Sequence, residues 1–393
     1  MRHDFYLAWQ YLRHYRWRSL TLLVCVSLIG ILPLLLNEVL TQGERLMLQR
    51  AKTTPWLIGA RGSTADTTLA ALYFRDTAPP VAYGEINRVE QSGWATALPI
   101  HARYRIHQIP LLGITADYFD FRHLVPALGD LPGFIGDCVL GARAARRLGL
   151  GVGDKLVSTP DNFFDLAGLV PLKLHITGVL AATDTVDDEA VYVDLKTVWI
   201  MEGLGHGHDS ATTRAAPTGS AFTTPETDPA SAGAADAVEI TPDNLDAFHF
   251  HGDMERYPVT AIIVAPHDDR AATLLGGRYV DENLPVRLIQ PVEVIRHLMH
   301  NIFRISTLFN LVLAGASGAA LLALMLVFAL SLQLRQGELD TIELLGCDHL
   351  TVVRLVMAEI LLILLLAAGL GSIFLAYIRH ESGILAPVLL DAL

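Results

Sequence analysis

Two His-x-His pairs carry the clearest coordination chemistry in this chain. His206-Gly207-His208-Asp209 comes first, and His249-Phe250-His251-Gly252-Asp253 follows a stretch rich in Ala, Thr, Ser and Pro. Imidazole and carboxylate are typical ligands of Zn²⁺ and other borderline divalent ions. Residues two apart on a strand share a face, so each pair can present two nitrogens together. His206, His208, His249 and His251 therefore form a candidate donor set for Zn²⁺. The same spacing fits a plainer reading, in which His249 and His251 line the exposed face of a strand backed by Phe248 and Phe250. His101, His107 and His297 stand outside such pairs and read as structural or solvated. Other chemistry is scarce. There is no GxSxG elbow, no HExxH and no GxxxxGK[ST] phosphate loop, so ATP hydrolysis would require a separate subunit and the chain is not read as an enzyme. Cys25, Cys138 and Cys347 fall in different regions and suggest neither a disulfide framework nor a cysteine zinc site.

The elements that must position the histidines follow from three apolar stretches: Leu20–Leu36, Ser306–Leu332 and Val352–Ile378. At about 1.5 Å per helical residue against a hydrocarbon core of about 30 Å, each is long enough or nearly so to cross a bilayer. A composition of 52% hydrophobic and 18% charged residues fits a few spans plus a soluble domain rather than a polytopic channel. The expected order is a cytoplasmic amphipathic helix at 1–18, a first span at 19–40, and a large outer domain at 41–300. A second span at 306–332, an inner loop at 333–351, a third span at 352–378 and a tail at 379–393, too short to cross, complete it. Arg2, Arg13, Arg16 and Arg18 before the first span place that end in the cytoplasm and the domain outside. The first stretch reads as an uncleaved anchor rather than a signal peptide. The net charge of −12 lies largely in the outer domain and argues against nucleic acid or anionic lipid as its partner. Short β-like runs at Pro55–Gly59, His101–Leu112, Leu172–Leu180, Ala190–Val193 and Val259–Val264, with helical patches between, make it α+β. Residues 203–237 hold almost no large apolar side chain and read as a flexible loop.

Three segments resemble the MacB/FtsX-type (type VII, mechanotransmission) permeases of ABC transporters. Leu12-Arg13-His14-Tyr15-Arg16-Trp17-Arg18-Ser19-Leu20-Thr21 is similar to their basic helix leading into the first span. Val139-Leu140-Gly141 and Leu148-Gly149-Leu150-Gly151-Val152-Gly153-Asp154 resemble a recurrent turn of their periplasmic domain. Glu338-Leu339-Asp340-Thr341-Ile342-Glu343-Leu344-Leu345-Gly346, then Val353, Arg354, Leu355 and Glu359, resembles their inner-loop motif. Glu343 stands where that motif has Arg, and the family's fourth span has no counterpart. Trp56-Leu57-Ile58-Gly59-Ala60-Arg61-Gly62-Ser63 looks like the opening of a MacB-like subgroup with a His-rich outer-domain insertion.

The resemblance implies a multi-pass protein of the bacterial inner membrane with a periplasmic MacB-like domain, dimeric with a second permease subunit (identical or not). It also implies a cytoplasmic ATPase partner, engaged through Arg335, Glu338, Ile342, Glu343, Leu345 and Gly346. Ala314, Gly315, Gly318 and Ala319 recur at i, i+4 spacing and suit close helix packing in a dimer. Polar groups are rare in the spans, which favours transmitted motion over a hydrophilic pore. The histidines point to metal handling, and a periplasmic partner protein is among the expected partners. Lipoprotein or hydrophobic-compound export, an FtsX-like signalling scaffold, and a membrane-anchored metal-dependent enzyme are the rivals.

Overall fold

The computed structural model describes residues 2–75, 78–158, 171–207, 237–334 and 349–380. It divides into two compact units, one of residues 1–46 with 299–393 and one of residues 47–298.

The first unit is helical. Helix Arg2–His14 precedes helix Arg16–Lys52, which passes through Pro33 without ending. Among the described residues, helix Pro291–Leu334 from residue 299 onward and helix His349–His380 also belong to it. Among the described residues, two helical segments are long and apolar enough to span a bilayer, Ser19–Lys52 and Val356–Ile378, and a shorter apolar piece covers Leu308–Ala319. The expected second span lies on the continuous helix Pro291–Leu334. Leu12, Leu22 and Ile363 form a small buried cluster, while Leu20, Val24, Leu28 and Leu32 are exposed, as lipid-facing side chains would be.

The second unit is α+β. Its strands are β1 (Trp56–Ala60), β2 (Val81–Ala82), β3 (Ala95–Ile106), β4 (Ile109–Ile114), β5 (Pro126–Gly129), β6 (Asp137–Leu140), β7 (Lys155–Val157) and β8 (Leu172–Leu180). They continue as β9 (Val191–Asp194), β10 (Gly205–Gly207), β11 (Val238–Glu239), β12 (Phe248–Phe250), β13 (Pro258–Val259), β14 (Ala261–Pro266) and β15 (Val286–Ile289). Eleven of them make one mixed sheet along the path β11-β8-β6-β9-β4-β3-β14-β1-β15, with β5 and β7 also on β8. The pairs β4–β9 and β6–β8 are parallel. β8 alternates buried and half-buried side chains along its length, the pattern of a strand with one face in the core.

One strand differs from expectation. His101–Leu112 reads as a single run but folds as a hairpin, with His107 and Gln108 at φ of 51° and 66°. A two-residue turn of the I′ kind needs positive φ at both positions, and Asn-Gly usually announces it. Here nothing in the residue types does.

Among the described residues of this unit, two buried apolar clusters lie in the core. Leu111, Leu140, Leu174, Ile176 and Val193 belong to one, and Ile58, Trp199, Val259, Ile262 and Val264 to the other. Helix Leu195–Met201 runs between them and leads directly to β10.

Candidate metal centre

β10 and β12 form a small antiparallel ribbon in which Gly205 faces Phe250, His206 faces His249, and Gly207 faces Phe248. The register sorts the side chains. One face carries Phe248 and Phe250 over glycines, and the other carries histidines. The glycines are required: a Cβ on Gly205 would stand 2.9 Å from the Phe250 ring and 3.2 Å from Ile200, and one on Gly207 would stand 3.0 Å from the Phe248 ring. Behind the ribbon, Trp199 meets Phe250 and Tyr257 edge-on at 6.4 and 5.1 Å. The Tyr257 hydroxyl donates to the carbonyls of Leu204 (3.2 Å) and His251 (2.7 Å), and the His251 amide donates to Leu204 O at 3.1 Å.

On the front face the rings of His206, His249 and His251 lie 4.6 to 4.9 Å apart, centroid to centroid. His206 and His251 are stacked, with their Nε2 atoms 3.4 Å apart. One ligand nitrogen from each of the three falls within 4.8 Å of the others. His249 Nδ1 sits 3.4 Å from Ala247 O. His206 and His251 are exposed and His249 is half-buried. Three of the four expected histidines are thus together; His208 lies outside the described residues.

A second constellation escaped the sequence reading. Arg50, in the last turn of helix Arg16–Lys52, makes a two-pronged ion pair with Asp187 through Nη1 and Nη2, the latter at 3.0 Å from Oδ1. Its Nε donates to Leu72 O at 2.6 Å, and Nη2 to the Tyr118 hydroxyl at 3.2 Å. Tyr192 OH donates to Asp187 Oδ1 at 2.8 Å and Tyr118 OH to the same atom at 3.2 Å. Burial alone would raise the Asp187 carboxyl, but the Arg50 charge and its hydrogen bonds, with Arg122 and Tyr192, outweigh that and hold it at about 2. Arg122 donates to Thr53 and Thr54, the residues that end the same helix, at 3.0 and 2.8 Å. A further buried group, Glu202, accepts from Tyr104 OH at 2.8 Å and lies 3.0 Å from His101 Nε2. This gives His101 the structural role expected of it. Cys138 is fully buried, and burial pushes its thiol well up, so it offers no reactive thiolate.

Comparison with known families decides the larger question. The family model "MacB-like periplasmic core domain" matches residues 37–235, just over half of the chain. The chain belongs to this MacB-like family. The resemblance to MacB/FtsX-type ABC transporter permeases read from the sequence is therefore shown, and the protein is a transmembrane transporter component with a MacB-like periplasmic domain. Among solved structures, the periplasmic region of MacB from Actinobacillus actinomycetemcomitans is 12% identical over 65% of this chain and 98% of that one, at a TM-score of 0.35. The extracellular domain of the noncanonic ABC-type transporter YknZ from Gram-positive bacteria is 13% identical over 60% and 99%, at 0.32. No curated protein sequence matches.

The MacB-like segments have local physical reasons. Gly141 lies against the Asp187 and Asp188 carbonyls, which a Cβ would meet at 2.5 Å. Arg61 donates to the carbonyls of Leu284 (2.5 Å) and Asp281 (2.7 Å), and Ser63 caps helix Thr64–Tyr73. Ala314, Gly315, Gly318 and Ala319 are exposed on helix Pro291–Leu334. The expected ATPase-coupling residues Arg335, Glu338, Ile342, Glu343, Leu345 and Gly346 lie outside the described residues, as does the tail beyond residue 380.

Proposed function

We propose that this MacB-like protein is the membrane subunit of an ABC transporter that carries ATP-driven motion of a separate cytoplasmic ATPase to its periplasmic domain, in the service of metal handling. In this reading the chain crosses the inner membrane three times, with its N-terminus inside, and works as a dimer of permease subunits. Closure of the ATPase pair pushes on the segment 335–346, and the spans relay the push outward. Exposed small residues Ala314, Gly315, Gly318 and Ala319 suit a close helix contact between two permeases.

One observation carries the reading. Helix Arg16–Lys52 is continuous, its apolar part is long enough to cross a bilayer, and its last turn is tied into the outer domain by buried Arg50. The helix thus enters residues 47–298 through an anchored last turn.

The test is co-purification from native membranes. Leu345→Asp places a charge on a face expected to fill an apolar groove of the ATPase, where an unpaired buried charge is costly. The wild-type chain should bring down an ABC ATPase, and Leu345→Asp should insert into the membrane normally but lose it. Equal ATPase recovery with the variant would remove the coupling assignment.

A further inference from the structure

We propose that His206, His249 and His251 form a three-imidazole site that takes one Zn²⁺ on the outer face of the β10–β12 ribbon, leaving one coordination position open. This goes beyond the permease reading and does not depend on it.

The argument starts from spacing. With Zn–N bonds of about 2.0–2.1 Å, two nitrogens of a tetrahedral site stand about 3.3–3.4 Å apart. His206 Nε2 and His251 Nε2 are separated by 3.4 Å, the length of such a tetrahedral edge. One nitrogen from each of the three rings, His249 included, lies within 4.8 Å of the others. Orientation is already provided for one ligand. Nδ1 of His249 lies near Ala247 O, and a ring that donates there keeps Nε2 as the acceptor for an ion, the usual outer-shell support of a metal-bound histidine.

The far face of the ribbon is packed against the domain. Phe248 and Phe250 pack over Gly205 and Gly207, and Tyr257 ties Leu204 to His251, so the three imidazoles leave the same face of the ribbon. Ligand chemistry selects the ion. Three neutral imidazoles suit Zn²⁺ and its late first-row neighbours, whereas Ca²⁺ and Mg²⁺ want oxygen ligands. Three protein ligands also leave the fourth position for water or for a donor from another molecule, as in open rather than closed zinc sites. The two exposed rings keep that position accessible. His206 precedes residues 208–236 and His249 and His251 follow them, so a bound ion cross-links the two ends of this segment. A two-stranded ribbon is marginal on its own, and such a cross-link adds stability to it.

Full-length protein, purified through a tag without histidines, stripped with chelator and held in nanodiscs, should be titrated with Zn²⁺ by calorimetry and with Co²⁺ by visible absorption. The expected result is one ion per chain and the intense visible bands of tetrahedral Co²⁺. His249→Ala with His251→Ala should abolish both, whereas His297→Ala should leave both unchanged. Should the double variant fold poorly, His206→Gln alone leaves β12 intact and should weaken Zn²⁺ binding at least tenfold. No stoichiometric transition in the wild type, weak binding spread over several sites, or an unchanged transition in the folded variants would overturn the proposal.

Discussion

At the scale of single residues, the glycines of β10 carry as much of the site as its histidines do. Gly205 has no room for a side chain because Phe250 and Ile200 occupy that space. Gly205→Ala should therefore force the ribbon apart at a cost of about 1–3 kcal/mol, the usual range for overpacking a filled site. It should also weaken Zn²⁺ binding, because His206 is carried on the displaced strand. Gly276→Ala is the matched control. It sits within helix Asp269–Arg278 with open space where the methyl would go, and alanine is the better helix former there. Denaturation melts should show Gly205→Ala below wild type and Gly276→Ala at or above it; a Gly205→Ala protein as stable as wild type would contradict the packing argument. The pairing of His249 with His251 on one face was legible in the sequence because the His-x-His spacing is a local signal that a strand converts into a shared face. What brings His206 to His249 is the register of two strands far apart in the chain, and that register follows from the Gly-over-Phe packing rather than from the histidines. Arg50 and Asp187 were not legible at all. They are 137 positions apart, and no pattern links a basic residue at a helix end with an acidic one in a distant turn.

Among the elements, the helix Arg16–Lys52 has its end held by several partners. Its last turn places Arg50 against Asp187, Tyr118, Tyr192 and Leu72 O, and Arg122 holds Thr53 and Thr54 just beyond. Removing one partner of a buried pair leaves a charge without compensation, worth about 3–5 kcal/mol. Asp187→Asn should destabilise the outer domain by that order at neutral pH. The acid dependence has a definite sign. The Asp187 carboxyl is held at about 2 against an ordinary 3.8, so its contribution is full above pH 3.8 and is lost as pH falls towards 2. Between those limits the wild type should lose on the order of 2 kcal/mol more than Asp187→Asn does. Parallel acid melts of the two proteins would check this, and identical acid profiles would show that the pair carries no such linkage. Element types were read well where periodicity was strong. Leu172–Leu180 alternates and is a strand, and helix Ala142–Leu148 ends at Gly149 in the left-handed region, where glycine is at ease. The hairpin at His107-Gln108 was missed because those residues do not advertise positive φ, and the sheet order was missed because strand pairing is long-range.

For the whole molecule, membership of the MacB-like family and the two long apolar helices make this a membrane protein with a periplasmic-type α+β domain. The central claim is that ATP-driven motion reaches that domain. Its most direct test is a distance measured across the proposed permease dimer in two nucleotide states of the proposed ATPase partner. Gln91 is exposed on the outer domain, and Cys25, Cys138 and Cys347 can be replaced so that Gln91→Cys carries the only label. Spin-label distances between the two copies should be recorded in nanodiscs with the ATPase bound, without nucleotide and after vanadate trapping. The account predicts a shift in the distance distribution between those states that disappears when Leu345→Asp is added. Superimposable distributions in a complex that hydrolyses ATP would contradict it.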